Sequence, residues 1–344
     1  MAGVTQAMTT VGASARGAHE VVLDVADLEV AFHTPEGPVH AVNGVSFRLC
    51  RGETLALLGE SGCGKSVAVQ AVLGLVRSPP GRVRARHIRF GGTDLLGAPA
   101  GVMRAVRGPR IAMIFQDPFT SLDPTKTVGQ QIGEMFRVHR GLTRREARRR
   151  AIELMERVRI PTARRRVDDY PHQFSGGMSQ RVMIAAAIAL DPVILIADEP
   201  TTALDVTVQA QIMDLLGKLR AEIGMAMVLI THDLGLAAEH SERAAVMYAG
   251  HIVESGPMEA LYRDPGHPYT IGLLRSRPDI ARRAGRLEPI PGTPPRLSRL
   301  PIGCPFRPRC PWRRERCEQE VPALRALAGG RESACHFAEE VRGG

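Results

Sequence analysis

Residues 59–66 read GESGCGKS and constrain the fold more than any other stretch of the chain. They fit the pattern G-x-x-x-x-G-K-[ST] and lie between a short apolar run at 54–58 and a helix-like segment at 67–76. A strand, a glycine loop and a helix in this order form a phosphate-binding loop, in which backbone N–H groups and a helix N-terminus face the phosphates. A plain glycine-rich turn before a helix is the alternative.

In a phosphate-binding loop of this pattern, Lys65 reaches the β- and γ-phosphates and the Ser66 hydroxyl coordinates Mg²⁺. We expect the rest of the loop to contact the nucleotide as well: Gly59, Ser61, Gly62, Cys63 and Gly64. Cys63 is then a small spacer whose thiol makes the site sensitive to oxidation.

The composition predicts a globular chain that stays in the cytosol. It has 344 residues, of which 44% are hydrophobic and 24% charged, enough for a large core and a smaller second unit. No run approaches 18 apolar residues, and residues 1–19, expected to be disordered, lack the apolar block of a signal peptide. The net charge is +9, but the arginines are scattered and only three residues are lysines, so we expect no nucleic-acid partner.

Two segments before the phosphate loop, 20–30 and 41–49, alternate apolar and polar side chains, with the turn-rich sequence TPEGP between them. This period of two predicts an antiparallel β layer. Phe32 follows the first strand and is placed to stack on adenine, although a core or edge phenylalanine is an equally ordinary reading.

Three further apolar runs, at 111–115, 193–197 and 225–230, are typical of buried parallel strands. Ligands bind at the carboxyl ends of such strands, and polar side chains follow each run there. These side chains are Gln116 after the first run, Asp198 and Glu199 after the second, and His232 after the third.

Each of these polar residues has a plausible part in nucleotide chemistry. Gln116 and Asp198 offer oxygen atoms that can complete the shell of a Mg²⁺ ion held by Ser66. Glu199 is suited to polarise an attacking water, and His232 to bond a γ-phosphate. Taken singly, the glutamine and the histidine are more often structural.

The segment 126–190 has a helical pattern that is interrupted near Pro161 and resumes after FSGGMSQ at 174–180. Ser175, Gly176 and Gly177 therefore precede a helix and form a second candidate anion site, with a hydroxyl, two glycines and a helix dipole. An ordinary N-cap serine is the alternative.

The motifs GESGCGKS, Gln116, FSGGM, ILIADEP, ALD and TH occur in an order and spacing that resemble the ATP-binding cassette (ABC) ATPases. The resemblance covers about residues 20–260. It implies an α/β P-loop cassette at 20–265, with a mainly parallel core sheet, an antiparallel β layer and an inserted helical subdomain at about 117–190.

The resemblance also implies how the site works. Two cassettes pair head to tail, and Ser175, Gly176 and Gly177 of one close over ATP bound to the other. Glu199 is then the general base and His232 the γ-phosphate sensor, while Asp205 communicates across the pair. Gln116 and the helical subdomain couple the nucleotide to a membrane subunit. One departure is Ser179, where members of this subgroup usually have arginine.

The tail, 266–344, narrows the subgroup. Its segments HPYT, PIPGTPP and GCPFRPRC look like the loop-rich C-terminal extension of the ATP-binding subunits of oligopeptide and dipeptide importers. The resemblance implies ATP-driven peptide import on the cytoplasmic face of the membrane, with two permease subunits and a second, usually different, ABC subunit. An extracytoplasmic binding protein is an indirect partner. Related importers carry nickel, opines or glutathione, so the cargo stays open.

Four cysteines fall in this tail: Cys304, Cys310, Cys317 and Cys335. A reducing cytosol disfavours disulfides, and the spacings are wider than paired zinc ligands usually have. We therefore predict a [4Fe–4S] cluster, which some members of the subgroup have, with zinc or free thiols as alternatives.

Two other functions compete with transport. A soluble ABC ATPase acting on nucleic acid or ribosomes predicts long heptad repeats or two cassettes in one chain, and the sequence has neither. A degenerate cassette with a regulatory or structural role predicts lost catalytic residues, whereas Lys65, Glu199, Ser175 and His232 are all present.

Overall fold

The structure is a computed structural model that describes residues 20–202, 204–276 and 289–341. The N-terminal segment 1–19, predicted to be disordered, lies outside the described residues. In chain order the strands are β1 (Val21–Thr34), β2 (Gly37–Cys50), β3 (Thr54–Leu58), β4 (Gly81–Arg84), β5 (His87–Phe90), β6 (Thr93–Asp94), β7 (Ile111–Ile114), β8 (Ile194–Asp198), β9 (Ala226–Thr231), β10 (Arg243–Tyr248), β11 (His251–Pro257), β12 (Arg325–Leu327) and β13 (Arg331–Ser333).

The helices alternate with these strands and are concentrated between β7 and β8. They are α1 (Lys65–Val72), α2 (Ala100–Val106), α3 (Pro118–Ser121), α4 (Val128–Arg140), α5 (Arg144–Arg157), α6 (Ala163–Arg166), α7 (Gly176–Ile188), α8 (Val206–Ile223), α9 (Leu234–His240), α10 (Met258–Arg263), α11 (Pro268–Arg275), α12 (Arg316–Gln319) and α13 (Ala338–Val341). In the part of the chain that the structure describes, none combines the length and apolar character needed to cross a bilayer.

An antiparallel sheet forms the first layer, as predicted. Its strand order is β2-β1-β5-β6, and β4 also pairs with β1. The first two strands are each 14 residues long, because the turn between them shrinks to the two residues after Thr34. Buried side chains on β1, such as Leu23 and Val25, pack into a core shared with β3 and α1. This layer therefore lies against the strand and helix that flank the phosphate loop.

The second sheet confirms the prediction of a mainly parallel core. Its order is β12-β13-β11-β10-β3-β9-β8-β7, and the run from β10 to β7 is parallel. Every residue of β3, β8 and β9 is buried, which explains why all of them are apolar except Thr54, Asp198 and Thr231 at the strand ends. Because β7, β8 and β9 are neighbours, the loops at their carboxyl ends meet at one edge of the sheet.

Helices α4 to α7 occupy the segment 126–190 that the sequence predicted to be helical, and they share a second core with β8 and β9. Capping boxes start two of them: Thr127 with Gln130 begins α4, and Thr143 with Glu146 begins α5. Pro161 separates α5 from the short α6, as expected. The boundary of this helical unit as a subdomain stays a prediction.

The C-terminal extension contributes two short strands to the core sheet. Its strands β12 and β13 pair antiparallel and add to the edge of the core sheet through β11. Each has only three residues, too few to show an alternating pattern in the sequence. The buried Glu254 carboxylate on β11 accepts backbone N–H bonds from Gly266 (2.5 Å) and His267 (3.1 Å), which fixes the start of the extension.

Candidate active site

The segment 59–66 forms the predicted loop between β3 and α1, and two of its glycines are required by close packing. Gly59 and Gly64 have φ angles of 149° and 105°. A Cβ on Gly59 would lie 2.2 Å from the carbonyl oxygen of Met247, and one on Gly64 would lie 2.3 Å from that of Ala41. The loop is thus pressed between β10 and β2, and a side chain at either glycine has no room.

Lys65 is the first residue of α1, and only 4% of it is exposed. Its Nζ donates to the carbonyl oxygens of Gly59 (2.7 Å) and Glu60 (3.0 Å). The ammonium therefore lies inside the concave face of the loop, where the sequence placed a phosphate-binding lysine.

Cys63 is buried in the same loop, and burial raises the pKa of its thiol. A protonated, buried thiol is a poor nucleophile. The oxidation sensitivity predicted for this cysteine therefore has no support in the structure.

Two of the predicted magnesium ligands lie together. The Ser66 hydroxyl donates to Asp198 Oδ1 across 2.9 Å. Burial raises the pKa of Asp198 above its ordinary value, while the Ser66 hydrogen bond lowers it. A hydroxyl beside a buried carboxylate is an oxygen donor set that suits Mg²⁺, and a cation there would offset the cost of burying the charge.

The third predicted magnesium ligand lies elsewhere. Gln116 donates through Nε2 to Glu199 Oε2 across 3.0 Å, so its amide is bonded to the catalytic candidate and not to the Ser66–Asp198 pair. Gln116 and Glu199 follow the neighbouring strands β7 and β8, which brings their side chains together. Its role as a magnesium ligand stays a prediction.

The Glu199 carboxylate contacts three polar side chains, of which Gln116 has been described above. Its Oε2 also accepts from the Thr202 hydroxyl (2.8 Å), and its Oε1 lies 3.6 Å from Nδ1 of His232, which follows β9. Its φ of +45° is rare for a residue other than glycine, and such conformations cluster at functional sites. The sequence reading missed Thr202, which lies in the PTTALD segment directly after Glu199.

The Ser175-Gly176-Gly177 segment forms the start of the 13-residue helix α7. Ser175 occupies the N-cap position, but its side chain makes no cap hydrogen bond and is exposed. A Cβ on Gly177 would lie 2.7 Å from the Val208 side chain, so this glycine lets α7 approach α8. The ordinary N-cap alternative is thus not what the structure shows, and the predicted contact with a second cassette stays a prediction.

The two other predicted nucleotide residues have local structural contacts. Asp205 is the N-cap of α8 and accepts from Val208 N (3.0 Å). Phe32 is half-buried at the end of β1, opposite Val39 and against Gly81. Communication across a cassette pair and adenine stacking are compatible with these positions and stay predictions.

The four tail cysteines line one small cavity of about 20 Å³ with Phe306 and Trp312. Burial raises the pKa of Cys310 to about 12 and that of Cys335 to about 11, which favours neutral thiols. No cluster of three or more His, Cys, Asp or Glu side chains in residues 20–202, 204–276 and 289–341 could hold a metal ion. The residues supply the donor chemistry of an iron–sulfur cluster but not its arrangement, so this prediction is not supported.

Comparison with known proteins identifies the family. Residues 42–202 match the model of the ABC transporter family, and residues 253–317 match that of the oligopeptide/dipeptide transporter C-terminal region. The chain is 52% identical over 314 residues to a peptide import ATP-binding protein of Brucella abortus (strain 2308). The aligned residues cover 91% of this chain and 94% of the relative. The chain belongs to the ABC transporter family.

Other relatives agree. A peptide import ATP-binding protein of Brucella melitensis biotype 1 is 48% identical over 93% of this ABC protein and 98% of its own length. A dimeric ATP-binding cassette solved in a post-hydrolysis state with ADP and phosphate is 27% identical, with a TM-score of 0.61, and covers 69% of this chain and 98% of its own. A component of an ABC transporter complex from Clostridium perfringens is 28% identical, with a TM-score of 0.60, and covers 78% of this chain and 100% of its own. The protein is thus an ABC ATPase, which uses ATP and Mg²⁺, and the predicted family and fold are confirmed.

Proposed function

We propose that this ABC ATPase is the subunit that powers import of peptides, or of a related small solute, through a pair of membrane permease subunits. The names of the Brucella relatives and the match of the tail to an oligopeptide/dipeptide transporter region support import over action on nucleic acid or ribosomes. In this role the protein lies peripherally on the cytoplasmic face of the membrane. An extracytoplasmic binding protein delivers the solute and does not touch this subunit.

The observation that carries the proposed ATPase chemistry is the position of Glu199. Its carboxylate lies at the carboxyl end of β8, one residue after Asp198, and is held by Gln116 and Thr202 with His232 at 3.6 Å. A carboxylate fixed in this way beside the phosphate loop can take the proton of a water that attacks the γ-phosphate. His232 then bonds the γ-phosphate, so that it helps to set the distance between water and phosphorus.

The phosphates are held by the loop and by Lys65, whose ammonium exchanges its bonds to Gly59 and Glu60 for phosphate oxygens. Ser66 and Asp198 are the residues that would hold Mg²⁺, which neutralises phosphate charge, and Gln116 joins them if its amide turns from Glu199. Adenine stacks on Phe32 in this proposal. Each of these roles uses a residue at the loop or at a strand's carboxyl end.

The site is completed by a second cassette. The Ser175 hydroxyl, which makes no cap hydrogen bond, and the N-terminus of α7 offer hydrogen-bond donors to an anion. The dimeric state of the solved relative supports a pair of cassettes. Asp205 is the N-cap of α8, in the segment that follows Glu199. In this proposal Asp205 links the nucleotide sites of the two cassettes. We propose a different, related chain as the second cassette.

The test of the ATPase chemistry is the Glu199→Gln variant. Glutamine retains an oxygen acceptor for Gln116 and Thr202, so the loop should keep its shape while the proton acceptor is lost. We expect kcat to fall by about 10²- to 10⁴-fold, the usual contribution of a general base, with nucleotide binding retained. Unchanged turnover would contradict the assignment and favour a degenerate cassette.

The test of the transport assignment uses the same variant, tagged and held with ATP, in a pull-down from native membranes. Co-purification of two multi-spanning proteins and a second ABC subunit is the expected result. Recovery of ribosomes or nucleic acid without membrane subunits would overturn the importer and leave the ATPase. The proposed function does not include the iron–sulfur cluster, because no metal-binding group is found among the described residues.

A further inference from the structure

The phosphate loop is bound by the C-terminal extension through Glu60. The Glu60 carboxylate accepts two bonds from the Arg309 guanidinium, from Nη1 across 2.6 Å and from Nη2 across 3.0 Å. The two residues are 249 positions apart, and they lie in the regions matched by two different family models. A two-bond Arg–carboxylate pair fixes both position and orientation.

A second bond reaches the backbone of the same residue. The Glu60 N–H donates to the Tyr269 hydroxyl across 2.8 Å. The Glu60 carbonyl oxygen accepts from Lys65, so the extension holds one side of this residue while the phosphate-binding lysine touches the other. The extension therefore fixes a residue that is directly bonded to Lys65.

The two extension residues are themselves rigidly placed. Tyr269 is fully buried, with ring centroids 4.7 Å from Tyr248 and 5.5 Å from Phe306. The Arg309 side chain is 4% exposed, and its Nε donates to Pro291 O across 2.9 Å. The Glu60 side chain stays 29% exposed, so the buried partner is the guanidinium, and loss of Glu60 would leave that buried charge unpaired at a cost in stability.

We propose that Arg309 and Tyr269 are positioning residues of the nucleotide site, through which the C-terminal extension holds the phosphate loop in its binding conformation. The inference rests on the proposed function in that the loop must bind nucleotide. A loop fixed before binding loses less conformational freedom when the phosphates arrive, so the extension should contribute to ATP affinity more than to turnover.

The experiment measures, on the full chain, the Kd of a fluorescent ATP analogue with Mg²⁺, together with KM and kcat for ATP. Arg309→Met removes the guanidinium but keeps a long apolar side chain, and Tyr269→Phe removes only the hydroxyl. Arg307→Met is the matched control, because Arg307 lies in the same short turn and faces Glu318 within the extension at 3.8 Å.

We expect Kd and KM to rise by about tenfold in Arg309→Met and by about threefold in Tyr269→Phe, with kcat at saturating ATP within twofold of the wild type. Arg309→Lys keeps the positive charge but cannot make two parallel hydrogen bonds to Glu60, so it should recover part of the lost ATP affinity. Adding Glu60→Gln to Arg309→Met should cost little more than Arg309→Met alone, because both changes break one pair. In Tyr269→Phe, hydrogen exchange at the Glu60 amide should also become faster.

Wild-type Kd and KM in both Arg309→Met and Tyr269→Phe would overturn the inference, even if the melting temperature fell. If Arg309→Met does not fold, Tyr269→Phe decides the question by itself. Lys65→Ala separates the two proposals: if it leaves nucleotide binding unchanged, the proposed function fails. If Lys65→Ala abolishes binding while the Arg309 and Tyr269 variants match Arg307→Met, only the inference fails.

Discussion

The Ser66 hydroxyl and the Asp198 carboxylate are 132 positions apart in the sequence, and the structure places them 2.9 Å from each other. Ser66 is the last residue of the phosphate loop and lies in the first turn of α1, and Asp198 ends β8. Only β9 separates β3 from β8 in the sheet, so the loop and the strand end meet at the same edge. The pair gives the ABC ATPase a hydroxyl and a buried carboxylate where a metal-bound nucleotide is expected.

Replacing Asp198 by asparagine should weaken the use of Mg²⁺. We expect Asp198→Asn to raise the Mg²⁺ concentration needed for half-maximal ATPase activity by about tenfold or more, because a charged oxygen ligand is lost. Titrating Mg²⁺ at fixed ATP measures the change. Asp214→Asn, on the exposed face of α8, is the control and should behave as the wild type. An unchanged Mg²⁺ requirement in Asp198→Asn would remove this residue from the metal site.

Two glycines of the phosphate loop should respond differently to alanine. Gly62 and Gly64 both have positive φ angles, 78° and 105°, which cost an alanine about 1–2 kcal/mol. A Cβ on Gly62 meets nothing within 4 Å, whereas one on Gly64 lies 2.3 Å from the carbonyl oxygen of Ala41. We expect Gly64→Ala to lower the free energy of unfolding by at least about 2 kcal/mol more than Gly62→Ala in urea titrations. Equal losses would contradict the close packing of Gly64 on β2.

Ser175 and Thr143 provide a test of the second anion site. Both are helix N-cap residues, but Thr143 makes a capping box and Ser175 makes no cap hydrogen bond. Thr143→Ala should therefore cost about 1 kcal/mol of stability, and Ser175→Ala should cost close to none in the isolated chain. ATPase activity of the assembled transporter should show the reverse order, with a large loss only in Ser175→Ala. A stability loss in Ser175→Ala equal to that in Thr143→Ala would make it an ordinary cap.

His267 should make the stability of the chain depend on pH. It is the N-cap of α11, its Nδ1 accepts from Tyr269 N (3.0 Å), and complete burial lowers its pKa to about 3. The unfolded chain binds a proton near pH 6.5 and the folded chain does not, so this group's contribution is present above pH 6.5 and is lost as the pH falls towards 3.

The neighbouring Glu254 changes the stability of the fold with pH in the opposite direction. Burial raises its pKa to about 7, so the folded state holds a proton that the unfolded state releases near pH 4.5. Its contribution to stability is therefore lost as the pH rises from about 4.5 to 7, and this partly masks the effect of His267.

A His267→Asn variant, which keeps a capping side chain, should lose less stability than the wild type between pH 7 and pH 4. Urea titrations at several pH values measure this, with the exposed His33→Asn as control; parallel curves for wild type and His267→Asn would refute it.

The local part of the fold could be predicted because its signals are local. The unbroken apolar run at 54–58 is β3 to the residue, and the runs at 193–197 and 225–230 are β8 and β9 shifted by one residue. Strands buried on both faces need continuous apolar sequence, and the polar residues that follow them mark the edge where ligands bind. This is why Asp198, Glu199 and His232 could be named as candidate site residues from the sequence, together with Lys65 and Ser66 of the phosphate loop.

The sequence by itself determined four strands of the core sheet, β3, β7, β8 and β9, together with the phosphate loop and the chemical types of the candidate site residues. Only the tertiary structure decided which side chains are bonded: Gln116 to Glu199, and Arg309 to Glu60. Only the structure also showed that the tail cysteines line a cavity without forming a metal-binding group, and that β13 extends the core sheet. The physical reason is that strand periodicity and turn chemistry act over a few residues, whereas these contacts depend on sheet order and on packing between segments up to 249 positions apart.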